Sequence, residues 1–214
     1  MKKYLTQLND DDLTENLVEE PESLYGFTYA DYVTWNFKER IELIRGKIFK
    51  MSPAPTILHQ TISVNIEKKI SRFLDGHPCK MFHAPIDVKL AGRPFRKKKI
   101  MDNEVFTVVQ PDIIVVCDED KLKDARSVDG APELVIEILS PGNTRVETKY
   151  KFDLYEENGV LEYWVVYPEF RHIYVYVLND NGKYGRPAIY EVNENICSSV
   201  LEGLSIPVNE IFKL

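Results

Sequence analysis

The stretch "GAPELVIEILSPGN", residues 130 to 143, decides how the rest of the chain is read. Leu134, Val135, Ile136, Ile138 and Leu139 make a short continuous apolar run bounded by glycine and proline. That is the pattern of a strand buried on both faces. Glu137 stands inside it. An ionised carboxylate in apolar surroundings costs several kcal/mol unless it is paired, hydrogen-bonded or bound to a metal. Glu137 therefore needs a partner elsewhere in the chain.

Upstream, "QPDIIVVC" (110 to 117) places Asp112 after Pro111 at the entry to a second apolar strand, 25 residues before Glu137. If the two strands are neighbours, their carboxylates approach, and a divalent cation relieves the repulsion. Hard oxygen ligands of this kind suit magnesium or manganese. Downstream, "NTRVETKYKFDLYEENG" (143 to 159) reads as a helix, with Thr144 and Glu147 in capping-box register and Gly159 as its stop. Lys151 lies on that helix. A cation beside a metal-bound water can orient the nucleophile and offset charge developing on a phosphate. Each residue also has a plain structural reading. Asp112 can cap a turn, Glu137 can sit in a structural ion pair, and Lys151 can pair with Glu147 one helical turn earlier.

Around this centre the chain alternates elements. "TYADYVTWNFKER" (28 to 40) suggests a short helix, and "IELIRGKIFKMSP" (41 to 53) two strands about an Arg45-Gly46 turn. From Thr56 to Asp75, apolar residues recur at three- and four-residue steps, an amphipathic helix ending before Gly76. Strand-like runs follow at 79 to 90, 108 to 118 and 132 to 140, and after the helix at "EYWVVYP", "RHIYVYVL" and "RPAIYEV". The expected fold class is α/β, mixed α+β: helix, several strands, helix, more strands. Residues 1 to 24 are expected to form a polar arm, and 25 to 214 one domain.

With 44% hydrophobic and 29% charged residues the composition is that of a globular protein, and no apolar run approaches the roughly 20 residues of a membrane span. The start lacks the apolar region of a secretory signal, so a cytoplasmic location without membrane attachment is expected. Cys79, Cys117 and Cys197 are scattered and odd in number, so no disulfide framework or zinc site is expected. The net charge of −7 argues against non-specific coating of nucleic acid.

The blocks "ERIELIRGKIFKMSPAPTILHQTISVNI", "VQPDIIVVCD", "GAPELVIEILSPGNTR" and "KFDLYEENGVLEYWVVYPE" resemble, in order and spacing, the Uma-two-type family of restriction-endonuclease-like proteins. That family is placed in the PD-(D/E)XK nuclease superfamily. The resemblance covers roughly Tyr25 to the C-terminus. It implies a restriction-endonuclease-like core, a mixed central β-sheet flanked by helices, with a magnesium site at one end of the central strands. Asp112 and Glu137 match the two acidic motif positions as metal ligands, and the Ile138 carbonyl a third ligand. Leu139 stands where the motif lysine is expected. In this family that lysine has moved to the following helix, where Lys151 matches it and Lys149 is the fallback. Glu42 and His59 match further polar positions, with supporting roles.

"RPFRKKK" (93 to 99) offers Arg93, Arg96, Lys97, Lys98 and Lys99 as contacts to a DNA backbone, against the plain reading of a solvated loop. The aromatic alternation of "EYWVVY" and "IYVYV" is better explained by sheet packing than by base stacking. The resulting expectation is a Mg²⁺- or Mn²⁺-dependent DNA endonuclease with Asp112, Glu137 and Lys151 as its catalytic residues, acting as a homodimer because cutting both strands takes two sites. The rival is a catalytically inactive nucleic-acid-binding or protein-interaction module on the same fold. A third reading is a metal enzyme acting on a small phosphorylated substrate.

Overall fold

The structure is a computed structural model. It describes residues 26–51, 55–92, 101–140 and 145–213, with side chains at 145–147 excluded. The expected N-terminal arm, Thr144 and Glu147 as capping partners, and all five residues of the basic loop lie outside these. The elements run α1 (Tyr29–Tyr32), β1 (Ile41–Ile44), β2 (Lys47–Lys50), α2 (Ile57–Phe73), β3 (Lys80–His83), β4 (Asp87–Lys89), β5 (Val108–Val109), β6 (Ile113–Val116), β7 (Ser127–Asp129), β8 (Leu134–Ile138), α3 (Arg145–Asn158), β9 (Glu162–Tyr167), β10 (His172–Val177), β11 (Ala188–Tyr190), β12 (Asn195–Cys197), β13 (Ser205–Pro207) and α4 (Val208–Ile211).

Two sheets carry the architecture. One has the order β2-β1-β5-β4-β7, the other β11-β10-β9-β8-β6-β3, and β12 pairs with β13 apart from both. Strand β8 lies inside the larger sheet, antiparallel to β6 and parallel to β9. Both of its faces are covered. On one, Ile136 and Ile138 share a core with Ile62, Ile66 and Ile70 of α2. On the other, Val135 packs with Leu154 and Tyr155 of α3. The continuous apolar run follows from this double burial, and α3 is the helical crossover that parallel β8 and β9 require.

The two long strand-like runs each break into two strands, one in each sheet. β3 pairs with β6 through His83↔Ile113, and β4 with β5 through Val88↔Val109. The Ala84 N–H continues the first ladder to the Asp112 carbonyl at 3.0 Å. The two registers differ by one residue, so Pro85 and Ile86 together face Pro111 at the corner. Such a bulge bends the pair and re-aims the neighbouring side chains. Here it leaves Asp112 one residue before β6, at the sheet's end.

Among the cysteines, the expectation fails. Cys79 and Cys117 are joined by a disulfide. They stand opposite each other just beyond the β3–β6 ladder, a proximity that only the strand register reveals, while Cys197 is free and exposed.

The β1–β2 turn is tight in the manner the sequence predicts. Arg45 and Gly46 both have positive φ, 52° and 77°, the backbone of a two-residue hairpin whose twist matches its strands. A side chain at Gly46 would bring its Cβ to 2.9 Å from the Gly26 Cα, where Phe27 N–H bonds the Gly46 carbonyl. Gly46→Ala is therefore expected to destabilise the fold by about 1–3 kcal/mol. Urea unfolding checks it, and an unchanged midpoint would contradict this account.

Candidate active site

Continuing the β6–β8 register past Ile113↔Ile136 sets Asp112 opposite Glu137. Residues directly opposite in an antiparallel pair point to the same face, so both carboxylates lie on the α3 side of the sheet. Glu137 is 7% exposed. Its Oε1 accepts from Lys151 Nζ at 2.9 Å and from the Tyr155 hydroxyl at 2.6 Å. Lys151 and Tyr155 are four residues apart on α3, the spacing that puts two side chains on one helix face. Lys151 Nζ also lies 3.5 Å from Glu42 Oε1. Glu42 comes from β1 of the smaller sheet, is 5% exposed, and accepts the Gln110 N–H at 2.9 Å.

Asp112 is held from two other directions. Its Oδ2 accepts the Ile138 N–H at 2.8 Å and lies 3.3 Å from His59 Nε2. His59 is buried in the first turn of α2, where its N–H is capped by Thr56. Its Nδ1 is buried without a partner among the described residues, so the hydrogen-bond pattern assigns the proton to Nε2, donating to Asp112.

The electrostatics follow from burial of like charges. Burial raises Glu137 to about 7; Lys151 opposes the rise, while Asp112 and Glu42 add to it. Burial pulls Lys151 down, but Glu137, Glu42 and Asp112 outweigh it and hold the ammonium protonated well above its ordinary range. Burial and the neighbouring Glu137 keep Tyr155 neutral, so its hydroxyl remains a donor. Burial lowers His59, but the Asp112 hydrogen bond and charge, with Glu137, bring it out above its ordinary value.

Among the described residues, no three His, Cys, Asp or Glu side chains close into a preformed metal cage. Magnesium does not need one, since it commonly takes one or two carboxylates and fills its octahedron with water and phosphate oxygen. The donor set fits that habit. The hydrogen bonds to Glu137 fall on Oε1 and those to Asp112 on Oδ2, so Oε2 and Oδ1 take none among the described residues.

The structure thus brings Glu42, His59, Asp112, Glu137, Ile138 and Lys151 together. It does not do so for Lys149, which is exposed. Glu133, four residues before Glu137, instead pairs with Lys121 and accepts the Cys117 N–H beyond the other end of β8. Glu42 is buried in β1 and is no solvated strand residue. Sequence reasoning missed Tyr155, whose one available signal is its place a helical turn after Lys151.

The sequence model of the family Uma2, described as "Putative restriction endonuclease", matches residues 29–209. The chain belongs to the Uma2 family. The Uma2 chain is 28% identical over 155 residues to a Synechocystis protein (strain ATCC 27184 / PCC 6803 / Kazusa) named "Uncharacterized protein slr1290", covering 71% of this chain and 74% of that one. Its fold is similar to the crystal structure of a putative nuclease from Anabaena variabilis ATCC 29413, with a TM-score of 0.67 at 17% identity, covering 87% of this chain and 97% of that one. That likeness speaks for the fold. It agrees with the expected mixed α/β class of the Uma2 chain. No helix among the described residues is long and apolar enough to cross a membrane.

Proposed function

We propose that this Uma2 chain is a Mg²⁺- or Mn²⁺-dependent DNA endonuclease, with Asp112, Glu137 and Lys151 as its catalytic residues. The observation that carries the reading is Lys151 Nζ set 2.9 Å from Glu137 and 3.5 Å from Glu42, on the face Asp112 shares. Asp112 and Glu137 hold the cation from adjacent strands, with the Ile138 carbonyl as a backbone donor. A bound divalent cation supplies positive charge to phosphoryl oxygens and a more acidic water. Lys151 orients the attacking water and offsets charge on the phosphate. His59 and the Ile138 N–H fix Asp112; Tyr155 fixes Glu137; Glu42 keeps Lys151 in place. Arg93, Arg96, Lys97, Lys98 and Lys99 are proposed backbone contacts, and a homodimer would supply the second site for a double-strand cut.

One observation favours the inactive-module reading. Glu137 is already paired with Lys151 at 2.9 Å, a contact that a structural ion pair would also make. A plasmid-nicking assay with Mg²⁺ or Mn²⁺, run beside calorimetric metal titration, separates the two. The nuclease reading expects metal binding and relaxed or linear plasmid. If neither metal binds and supercoiled, single-stranded and branched DNA all stay intact, the reading is lost.

A further inference from the structure

The aromatic residues of the β9–β10 hairpin form a continuous series of ring contacts. The Phe170 and His172 rings stack face to face, 5.5 Å apart and 11° from parallel, and His172 stacks on Tyr174 at 5.1 Å and 19°. Tyr167 flanks both His172 and Tyr174 at 4.9 Å. Helix α3 covers the next ring along β10, with Phe152 against Tyr176 at 4.9 Å, while Tyr174 and His172 are half-buried. Phe170, at the free end, is 68% exposed. A core-packing role explains Tyr176 and leaves Phe170 unexplained.

Register ties this stack to the candidate site. Tyr174 pairs with Val165, and Val165 with Glu137, so Tyr174, Glu137 and Asp112 occupy one row across the sheet and point to one face. Two strand spacings, roughly 10 Å, separate Tyr174 from Glu137. From that row the rings step outward through His172 to Phe170, past the sheet end where Asp112 stands.

We infer that Phe170, His172 and Tyr174 form a stacking platform for an unpaired nucleobase of the DNA strand presented to Asp112 and Glu137. The inference rests on the nuclease reading for its substrate. A nucleobase is a flat, uncharged ring that gains from an exposed parallel ring face whatever its sequence. Burial lowers His172, which keeps the middle ring neutral, and Glu169 and Arg171 beside Phe170 leave no net charge there. The platform therefore selects for an unstacked base and leaves phosphate contacts to other residues. A substrate with single-stranded or splayed nucleotides beside the cut fits it better than an intact duplex.

The test uses the full chain in EDTA, so that no cleavage is involved. A single-stranded oligonucleotide carrying 2-aminopurine reports stacking by quenching, and a blunt duplex of the same sequence is the control. The wild type is expected to bind the single strand and quench the probe. Phe170→Ala should bind about tenfold more weakly with the quenching lost, Phe170→Trp should restore both, and duplex binding should not respond. Phe170 is exposed, so neither change threatens folding. Equal binding and quenching by Phe170→Ala overturns the inference, as does a wild type that ignores single strands. A sedimentation shift from dimer to monomer on Phe170→Ala would also overturn it, assigning the face to a second copy. If the chain stacks the probe but never cuts DNA with metal, the nuclease reading falls and the platform stands. If it cuts and Phe170→Ala changes nothing, the reverse holds.

Discussion

Glu137→Gln is expected to lower metal-dependent DNA cleavage by about 10³-fold or more while leaving the fold as stable as the wild type at pH 8, or more so. The two halves come from the same environment. Glutamine keeps the size of the side chain, and its carbonyl can still accept from Lys151 and Tyr155, which bond Glu137 Oε1 in the wild type. It removes a charge from a site that already disfavours charge, since burial raises Glu137 to about 7. As pH rises, the unfolded chain ionises this residue at its ordinary carboxylate value and the folded chain only near 7. The carboxylate therefore costs the fold stability progressively through that window, and the cost is fully present above it. Glutamine is spared that cost, and Lys151 keeps Glu42 at 3.5 Å as its counter-charge. Activity has no such relief, because an amide binds Mg²⁺ far less well than a carboxylate, and a metal contributes several kcal/mol to charge stabilisation in phosphoryl chemistry. Cleavage rates, calorimetric Mn²⁺ affinity and urea unfolding together make the check. A variant that cuts like the wild type removes Glu137 from the site. One that loses activity only because it unfolds assigns the residue a structural role.

Burial of an acid in a strand does not by itself mark a functional residue, and the chain contains its own counterexample. Glu162 at the start of β9 is fully buried, yet Trp164 Nε1, the Ser198 and Ser199 hydroxyls and the backbone N–H groups of Ser199 and Val200 all donate to it. A carboxylate so thoroughly satisfied is a structural node. Glu162 and Glu137 look alike in a sequence window, and what separates them is the donor set, assembled from residues far along the chain. The local elements were legible because their signals are local: the Arg45-Gly46 hairpin, the α2 periodicity and the apolar run of β8. The bulge that turns β3 into β4 and β5 into β6 was not, because it depends on which strands pair and in what register. The same dependence hid the Cys79–Cys117 bond and the buried Lys89, which sits among Asp102, Asp124 and Asp129. Asp112 and Glu137 were paired from spacing and family resemblance. That Lys151 reaches Glu137 from α3, and that Tyr155 shares its grip, follows from the β8–α3–β9 crossover, which fixes the helix over the strand.

Lys151→Met is expected to lower cleavage by about 10²–10⁴-fold and, unlike Glu137→Gln, to destabilise the fold in a pH-dependent way. Methionine fills much of the lysine's volume, so the effect isolates the lost charge from a lost contact. In the wild type the ammonium is held protonated by Glu137 and Glu42 and opposes the rise of Glu137. Without it, the acids that face one another across the two sheets have no cation between them, and breaking a buried ion pair in this way costs about 3–5 kcal/mol. The fold can escape part of that cost by protonating Glu137, and the escape is cheap only at low pH. At pH 5 Glu137 carries its proton in the folded wild type, so the variant loses only what Lys151 gave to Glu42 and a neutral acid. At pH 8 the wild type holds an ionised Glu137 beside a cation, whereas the variant must either bury the bare carboxylate or take up a proton against the solution pH. The difference in unfolding free energy between wild type and variant should therefore widen from pH 5 to pH 8. Lysine's raised affinity for its proton adds a constant amount across this window, since its stabilisation is intact at any pH below the ordinary lysine range, so the widening reports Glu137 alone. Urea unfolding of both proteins at the two pH values measures the gap. A gap independent of pH would mean that Lys151 is not the counter-charge of Glu137. A variant that is destabilised but cuts at the wild-type rate when refolded and saturated with metal would place the lysine in the scaffold and return the choice of water-orienting cation to Lys149.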